Sequence, residues 1–226
     1  EGLRQGFLTL APESGNQTLK YLCTYPPPFP EGIMVIVFLK RQRLLWASSK
    51  GWIVKKNPVN WRGLTRGLHM IVVTGGAGFI GSNLVAGLEE HGVSDIVVSD
   101  TLGSNDKWRN IAKREIRDVV HPDRLFDYLN SHAGEITMVY HIGAVSSTTE
   151  TDADLIIDTN FVLSRRIWKW CWKNNKRFVY ASSAATYGDG HHGFKDDQSI
   201  EGLKHLMPLN PYGWSKLFIE RIMADY

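Results

Sequence analysis

The chain has 226 residues, of which 43% are hydrophobic and 22% charged, and a formal net charge of +3. This is globular composition, which excludes a disordered or low-complexity chain. Two distant cysteines, Cys23 and Cys171, exclude a disulfide framework, and no apolar run reaches the ~18 residues of a membrane span.

The charge is unevenly placed. Residues 1–69 hold 10 Lys/Arg against 3 Asp/Glu, a balance of +7, whereas residues 70–226 hold 16 against 20, a balance of −4. The shift marks a boundary at Met70. The leader carries Pro26-Pro27-Pro28-Phe29-Pro30, an apolar run from Ile33 to Leu39, and then Lys40-Arg41-Gln42-Arg43. It reads as a basic N-terminal extension that is not part of the fold, with Met70 as the candidate true start. An arm for an anionic surface or nucleic acid is the alternative. The net charge therefore says nothing about what the domain binds, and no nucleic-acid or membrane partner is expected for residues 70–226. The cysteine usage points to a reducing, cytoplasmic compartment.

Past Met70, helices and strands alternate. Ile71-Val72-Val73-Thr74 reads as a short strand buried on both faces. Phe79 to His91 reads as a helix with Phe79, Ile80, Leu84, Val85 and Leu88 on its apolar face and Gly92 as its stop. A second strand follows at Ile96–Ser99, a short helix at Asp123–Ser131, a strand at Thr137–Tyr140, a long helix at Asp152–Lys173 and a strand at Phe178–Ala181. A last helix opens at Pro211 and runs to Tyr226. This alternation predicts an α/β domain, a Rossmann-type doubly wound parallel sheet with right-handed crossovers.

The turn after the first strand carries the main chemical signal. Thr74-Gly75-Gly76-Ala77-Gly78-Phe79-Ile80-Gly81 has glycines at the spacing of a dinucleotide-binding turn, through Gly75 or Gly76, Gly78 and Gly81. Glycine is needed because side chains would hold a pyrophosphate away from the backbone N–H groups, and the helix N-terminus adds partial positive charge. Asp100 ends the second strand, where an acid accepts the adenosine ribose hydroxyls and favours NAD. Lys107 and Arg109 follow closely, and either is suited to a 2′-phosphate, favouring NADP. The residues alone leave both dinucleotides open.

The second signal lies further along. Ser182-Ser183 ends a strand at the ligand edge of the sheet, and Tyr212 and Lys216 are four apart, so a helix places them on one face. A tyrosine with a reference pKa of about 10 must be lowered by about three units, ~4 kcal/mol, to act as a base near neutral pH. A neighbouring ammonium and a positive nicotinamide ring are the expected source of that field, with Ser183 holding the substrate oxygen.

These residues resemble the extended short-chain dehydrogenase/reductases. The stretches His141-Ile142-Gly143-Ala144-Val145-Ser146-Ser147-Thr148-Thr149-Glu150, Ala181-Ser182-Ser183-Ala184-Ala185-Thr186-Tyr187-Gly188 and Pro208-Leu209-Asn210-Pro211-Tyr212-Gly213-Trp214-Ser215-Lys216 narrow the likeness. They select the nucleotide-sugar epimerases, and among them the branch acting at C6 of an ADP-linked heptose for lipopolysaccharide core. The likeness covers residues 70–226 and none of 1–69. It implies an isomerase that oxidises and re-reduces C6 through a bound nicotinamide dinucleotide.

The resemblance also implies roles. Gly75, Gly78, Phe79, Ile80 and Gly81 lie at the pyrophosphate, and Asp100 and Thr101 at the ribose. Lys107 lies near a 2′-phosphate, so NADP is the implied cofactor, with NAD the alternative. Gly143, Ala144, Ser146 and Asn160 line the cofactor, joined by Lys216. Ser183, Tyr212 and Lys216 form the catalytic set, and Ser147, Thr148 and Thr149 are the candidate substrate contacts, with hydrogen bonding within the loop as their alternative. No metal is implied. A complete member continues beyond Tyr226 into most of the sugar-nucleotide pocket and a second catalytic lysine. The C-terminal substrate region is thus expected to be missing, the chain to bind dinucleotide weakly and epimerise poorly or not at all, and the full-length protein to be a homo-oligomer. A relative of UDP-glucose 4-epimerase and a non-catalytic dinucleotide-binding fragment are the rival readings.

Overall fold

A computed structural model of the chain describes residues 70–195 and 197–225. Within residues 1–69 it describes the backbone of Leu22–Tyr25 and of the antiparallel pair Val37–Leu39 and Arg43–Leu45. The reading of 1–69 as an extension outside the fold otherwise falls outside the described residues. The chain divides into two units, one spanning Lys56–Ala144 and Trp168–Tyr180, the other Glu1–Lys55, Val145–Ile167 and Ala181–Tyr226.

The first unit is built on parallel strands β1 (Met70–Thr74), β2 (Ile96–Ser99), β3 (Asp118–Val120), β4 (Ile136–His141) and β5 (Arg177–Ala181), in the order β5-β4-β1-β2-β3. The order reverses between β1 and β4, which makes that crevice the switch point of a doubly wound sheet. Ile71, Val72, Val73, Ile96, Val97 and Val98 are wholly buried, as expected of central strands covered on both faces. Each such side chain contributes about 1.5–3 kcal/mol of burial. Helix α1 (Phe79–Glu90) buries Leu84, Val85 and Leu88, and Gly92, at φ 84°, ends its C-terminal turn in the left-handed region.

Strand β3 is absent from the sequence reading. Only Val120 in it is buried, so a charged edge strand with two valines carries no alternating pattern. The helix expected at Asp123–Ser131 begins as a 3-10 turn, Pro122–Arg124, and continues as α2 (Leu125–Ser131). At the opposite sheet end from the switch-point turn, Arg117 ties Asp95 and Glu135 together, with N–O distances of 2.9 Å to each.

In the second unit the long helix expected over Asp152–Lys173 is not one regular helix. It runs as α3 (Ala153–Ile156), a π-helical stretch (Ile157–Val162) and α4 (Leu163–Lys173), whose last turns enter the first unit. A 3-10 turn (Ala184–Tyr187), α5 (Ile200–Lys204) and α6 (Pro211–Ala224) follow. Asn210 caps α6 by accepting from the Gly213 N–H at 2.8 Å, and Pro211 occupies the first turn, where its missing N–H does no harm. Arg221 of α6 donates to the Leu203 carbonyl at 3.0 Å and the Leu206 carbonyl at 3.3 Å, satisfying the C-terminal end of α5. Among the described residues no helix is long and apolar enough to cross a membrane.

Candidate active site

In the first unit, the turn between β1 and α1 shows that its glycines do different work. Gly75 has φ 67°, and a Cβ there would lie 2.6 Å from the Gly143 backbone at the end of β4. A Cβ on Gly81 would lie 2.1 Å from the Gly75 carbonyl oxygen, so this glycine lets the helix close onto the turn. A Cβ on Gly78 would meet one atom, the Gly75 carbonyl at 3.2 Å, and otherwise open space. Gly75 and Gly81 therefore shape the turn, while Gly78 leaves the approach to the helix end clear. Helix α1 opens at Gly78 with no side-chain cap and no acid in its first turn, and Phe79 is 80% exposed. A bare N-terminus of this kind suits a pyrophosphate.

Asp100 is nearly buried, and both its oxygens are engaged. Oδ2 accepts from the Ala77 N–H at 2.9 Å, and Oδ1 accepts from Lys107 Nζ at 2.6 Å. Lys107 Nζ also donates to the Thr101 carbonyl at 3.1 Å. Arg109 instead pairs with Asp106 at 3.1 Å on the exposed face. Thr74 Oγ1 bonds His141 Nδ1 at 2.6 Å and accepts from the Gly143 N–H at 3.3 Å, fixing the end of β4 against the turn. Ala144 follows, half-buried. Ser99 Oγ is buried with no protein partner.

In the second unit, the structure brings Ser183, Tyr212 and Lys216 together. Ser183 caps the 3-10 turn, its Oγ accepting from the Ala185 N–H at 3.2 Å, and its side chain lies near that of Tyr212. Lys216 is 2% exposed, donates from Nζ to the Ala181 carbonyl at 2.8 Å, and lies 5.9 Å from the Tyr212 ring centre. Gly213 makes this possible, since a Cβ there would lie 2.5 Å from the Ala185 carbonyl oxygen. Burial pushes the Lys216 ammonium down to about 7, with Glu220 opposing. Burial also raises the Tyr212 hydroxyl above its ordinary value, opposed by the nearby Ser183 side chain. The lowered tyrosine expected from an adjacent ammonium is thus not produced by the chain's own groups. The burial that seats Lys216 also removes much of its charge.

Asn160 sits within the π-helical stretch and is fully buried. Its Oδ1 accepts from the Val145 N–H at 2.8 Å, and its Nδ2 donates to the Val145 carbonyl at 2.9 Å and to Ser215 Oγ at 3.2 Å. Ser215 Oγ in turn donates to the Tyr212 carbonyl at 2.7 Å. Asn160 therefore holds the backbone before Ser146 and, through Ser215, the first turn of α6. Ser146, Ser147, Thr148 and Thr149 are all exposed. Ser147 Oγ and Thr149 Oγ1 lie 3.0 Å apart, and the Thr149 N–H donates back to Ser147 at 3.3 Å, so this pair is bonded within its own loop. Among the described residues no cluster of His, Cys, Asp or Glu could hold a metal.

Sequence reasoning did not single out Asn110, Gly213 or Ser215. Gly213 and Ser215 lie inside the Tyr212–Lys216 interval, where the spacing drew attention to the ends. Asn110 had no local signal, because its partner lies 33 residues away.

The profile of the NAD dependent epimerase/dehydratase family matches residues 71–226. An ADP-L-glycero-D-manno-heptose-6-epimerase from Fusobacterium nucleatum is 50% identical over 153 residues, covering 67% of this chain and 46% of that protein. The chain thus spans about half the length of the curated relatives it matches. Among solved structures, an ADP-L-glycero-D-manno-heptose-6-epimerase from Helicobacter pylori aligns with a TM-score of 0.56 at 28% identity, covering 70% of this chain and 50% of that one. A UDP-glucose 4-epimerase from Brucella ovis in complex with NAD aligns at 0.54 and 26%, covering 70% of this chain and 47% of that one.

Proposed function

The chain belongs to the NAD dependent epimerase/dehydratase family, and on that premise we propose that it carries the cofactor-binding and acid–base parts of an epimerase. The proposed substrate is an ADP-linked heptose, and the proposed reaction is inversion at C6. The observation that carries the reading is the seating of Ser183, Tyr212 and Lys216 on one turn and one helix, in a chain that also holds a dinucleotide turn. The choice of sugar rests on the 50% identity to an ADP-heptose epimerase.

In the proposed mechanism, the uncapped N-terminus of α1 and the clear space at Gly78 receive the pyrophosphate. Family membership implies a nicotinamide dinucleotide, which the turn from Gly75 to Gly81 would hold and which would supply reversible hydride chemistry. Ser183 orients the C6 hydroxyl. Tyr212 Oη takes the hydroxyl proton and returns it, and Lys216 holds positive charge beneath the tyrosine when protonated. Gly143 and Ala144 are proposed as cofactor contacts of the first unit and Ser146, on the backbone that Asn160 holds, as one of the second, with the exposed Thr148 proposed for the substrate.

NADP is the proposed dinucleotide. Both Asp100 oxygens are engaged, so the carboxylate is a poor free acceptor for a ribose diol, and Lys107 offsets the charge that would repel a 2′-phosphate. Thermal melts of the chain with NADP, NAD, ADP-heptose and UDP-glucose test the reading. NADP is expected to raise the melting temperature more than NAD, and ADP-heptose more than UDP-glucose. No shift with either dinucleotide, or protection by UDP-glucose alone, would overturn it.

A further inference from the structure

The 3-10 turn Asp106–Asn110 buries none of its own residues, yet it stands beside the ribose-side acid and the dinucleotide turn. Two polar tethers hold it there. Lys107 Nζ reaches Asp100 Oδ1 at 2.6 Å, and Asn110 Nδ2 donates to the Ala77 carbonyl at 2.8 Å. Ala77 is fully buried, and its N–H donates to Asp100 Oδ2 at 2.9 Å. The peptide groups of Ala77 are thus held from both sides, the N–H by Asp100 and the carbonyl by Asn110. This residue sits between Gly75, whose φ is 67°, and Gly78, where α1 begins. Its orientation sets where the following N–H groups point.

We infer that Asn110 is a positioning residue of the dinucleotide turn, fixing the Ala77 peptide so that the N–H groups opening α1 are aimed before a pyrophosphate arrives. The inference rests on the proposed dinucleotide reading but goes beyond it. Asn110 acts on the part of the cofactor that NAD and NADP share, whereas Lys107 acts on the part that differs. Losing the Asn110 amide therefore weakens both dinucleotides by one factor.

A calorimetric titration of NAD and NADP, paired with melting of the same proteins without dinucleotide, tests this in Asn110→Asp and Asn110→Ala. The aspartate keeps the shape but turns a donor into an acceptor facing a carbonyl, and the alanine removes the group outright. Both variants are expected to bind NAD and NADP about three- to tenfold more weakly, by matching factors, when titrated at a temperature where each is fully folded, since the Ala77 carbonyl left without its donor also costs some stability. Wild-type affinity in both variants would overturn the inference and leave the functional reading standing. So would a loss confined to NADP, which would put Asn110 at the ribose, or a loss that only tracks a lower melting temperature. Failure of the wild-type chain to bind either dinucleotide would sink the functional reading and this inference with it.

Discussion

Lys216→Met isolates the cost of burying a cation beneath Tyr212. The ammonium is 2% exposed, and its pKa falls from 10.5 to about 7, chiefly through burial. Between those values the unfolded chain binds more protons than the folded one, so wild-type stability rises with pH across that window. The penalty is present in full below about 7 and is relieved as pH climbs toward 10.5. Methionine fills most of the same volume and has no such titration. Its lost hydrogen bond to the Ala181 carbonyl costs about 1–3 kcal/mol at every pH. The stability difference between variant and wild type should therefore shift by ~2–3 kcal/mol between about pH 6 and about pH 9, favouring the variant at the acid end. In paired melts this is roughly 5–10 °C of change in the melting-temperature difference. A difference that stays constant with pH would refute the argument that burial, and not a partner, sets the state of Lys216.

Three further outcomes follow from the geometry. Gly81→Ala places a Cβ 2.1 Å from the Gly75 carbonyl oxygen and should lower stability by about 1–3 kcal/mol, whereas Gly78→Ala, whose nearest atom is at 3.2 Å, should spare stability and weaken dinucleotide binding; denaturant titration and calorimetry separate the two. Lys107→Ala should weaken NADP more than NAD, because it removes the cation beside Asp100, and competitive binding of the two dinucleotides reads this directly. Tyr212→Phe should leave dinucleotide affinity near wild type in calorimetry, because the phenol belongs with Ser183 and Lys216 and not with the dinucleotide turn.

The central strands were legible because β1 and β2 are apolar up to their last residues, Thr74 and Ser99, and the turn was legible because three glycines stand at fixed spacing after a strand. The division of labour among those glycines was not. It depends on Gly143 and on the Gly75 carbonyl, which reach Gly75 and Gly81 only once the chain is folded. Strand β3 was invisible because an edge strand with one buried residue has no period to detect. The π-helical stretch was invisible for a different reason. Its apolar spacing reads as ordinary helix, while the buried amide of Asn160 finds its partners at Val145 and Ser215. A four-residue interval predicts Tyr212 and Lys216 on one helix face, and α6 carries Lys216 Nζ 5.9 Å from the Tyr212 ring centre. Spacing carries no sign of the burial that raises Tyr212 and lowers Lys216, because burial is a property of the assembled core.

Calorimetric titration of NADP and NAD into the purified chain, with Gly81→Ala as the comparison, asks whether this chain binds a dinucleotide unaided. The expected result is saturable binding of both, tighter for NADP, and its loss in the variant. No binding of either dinucleotide, or binding that survives Gly81→Ala unchanged, would contradict it.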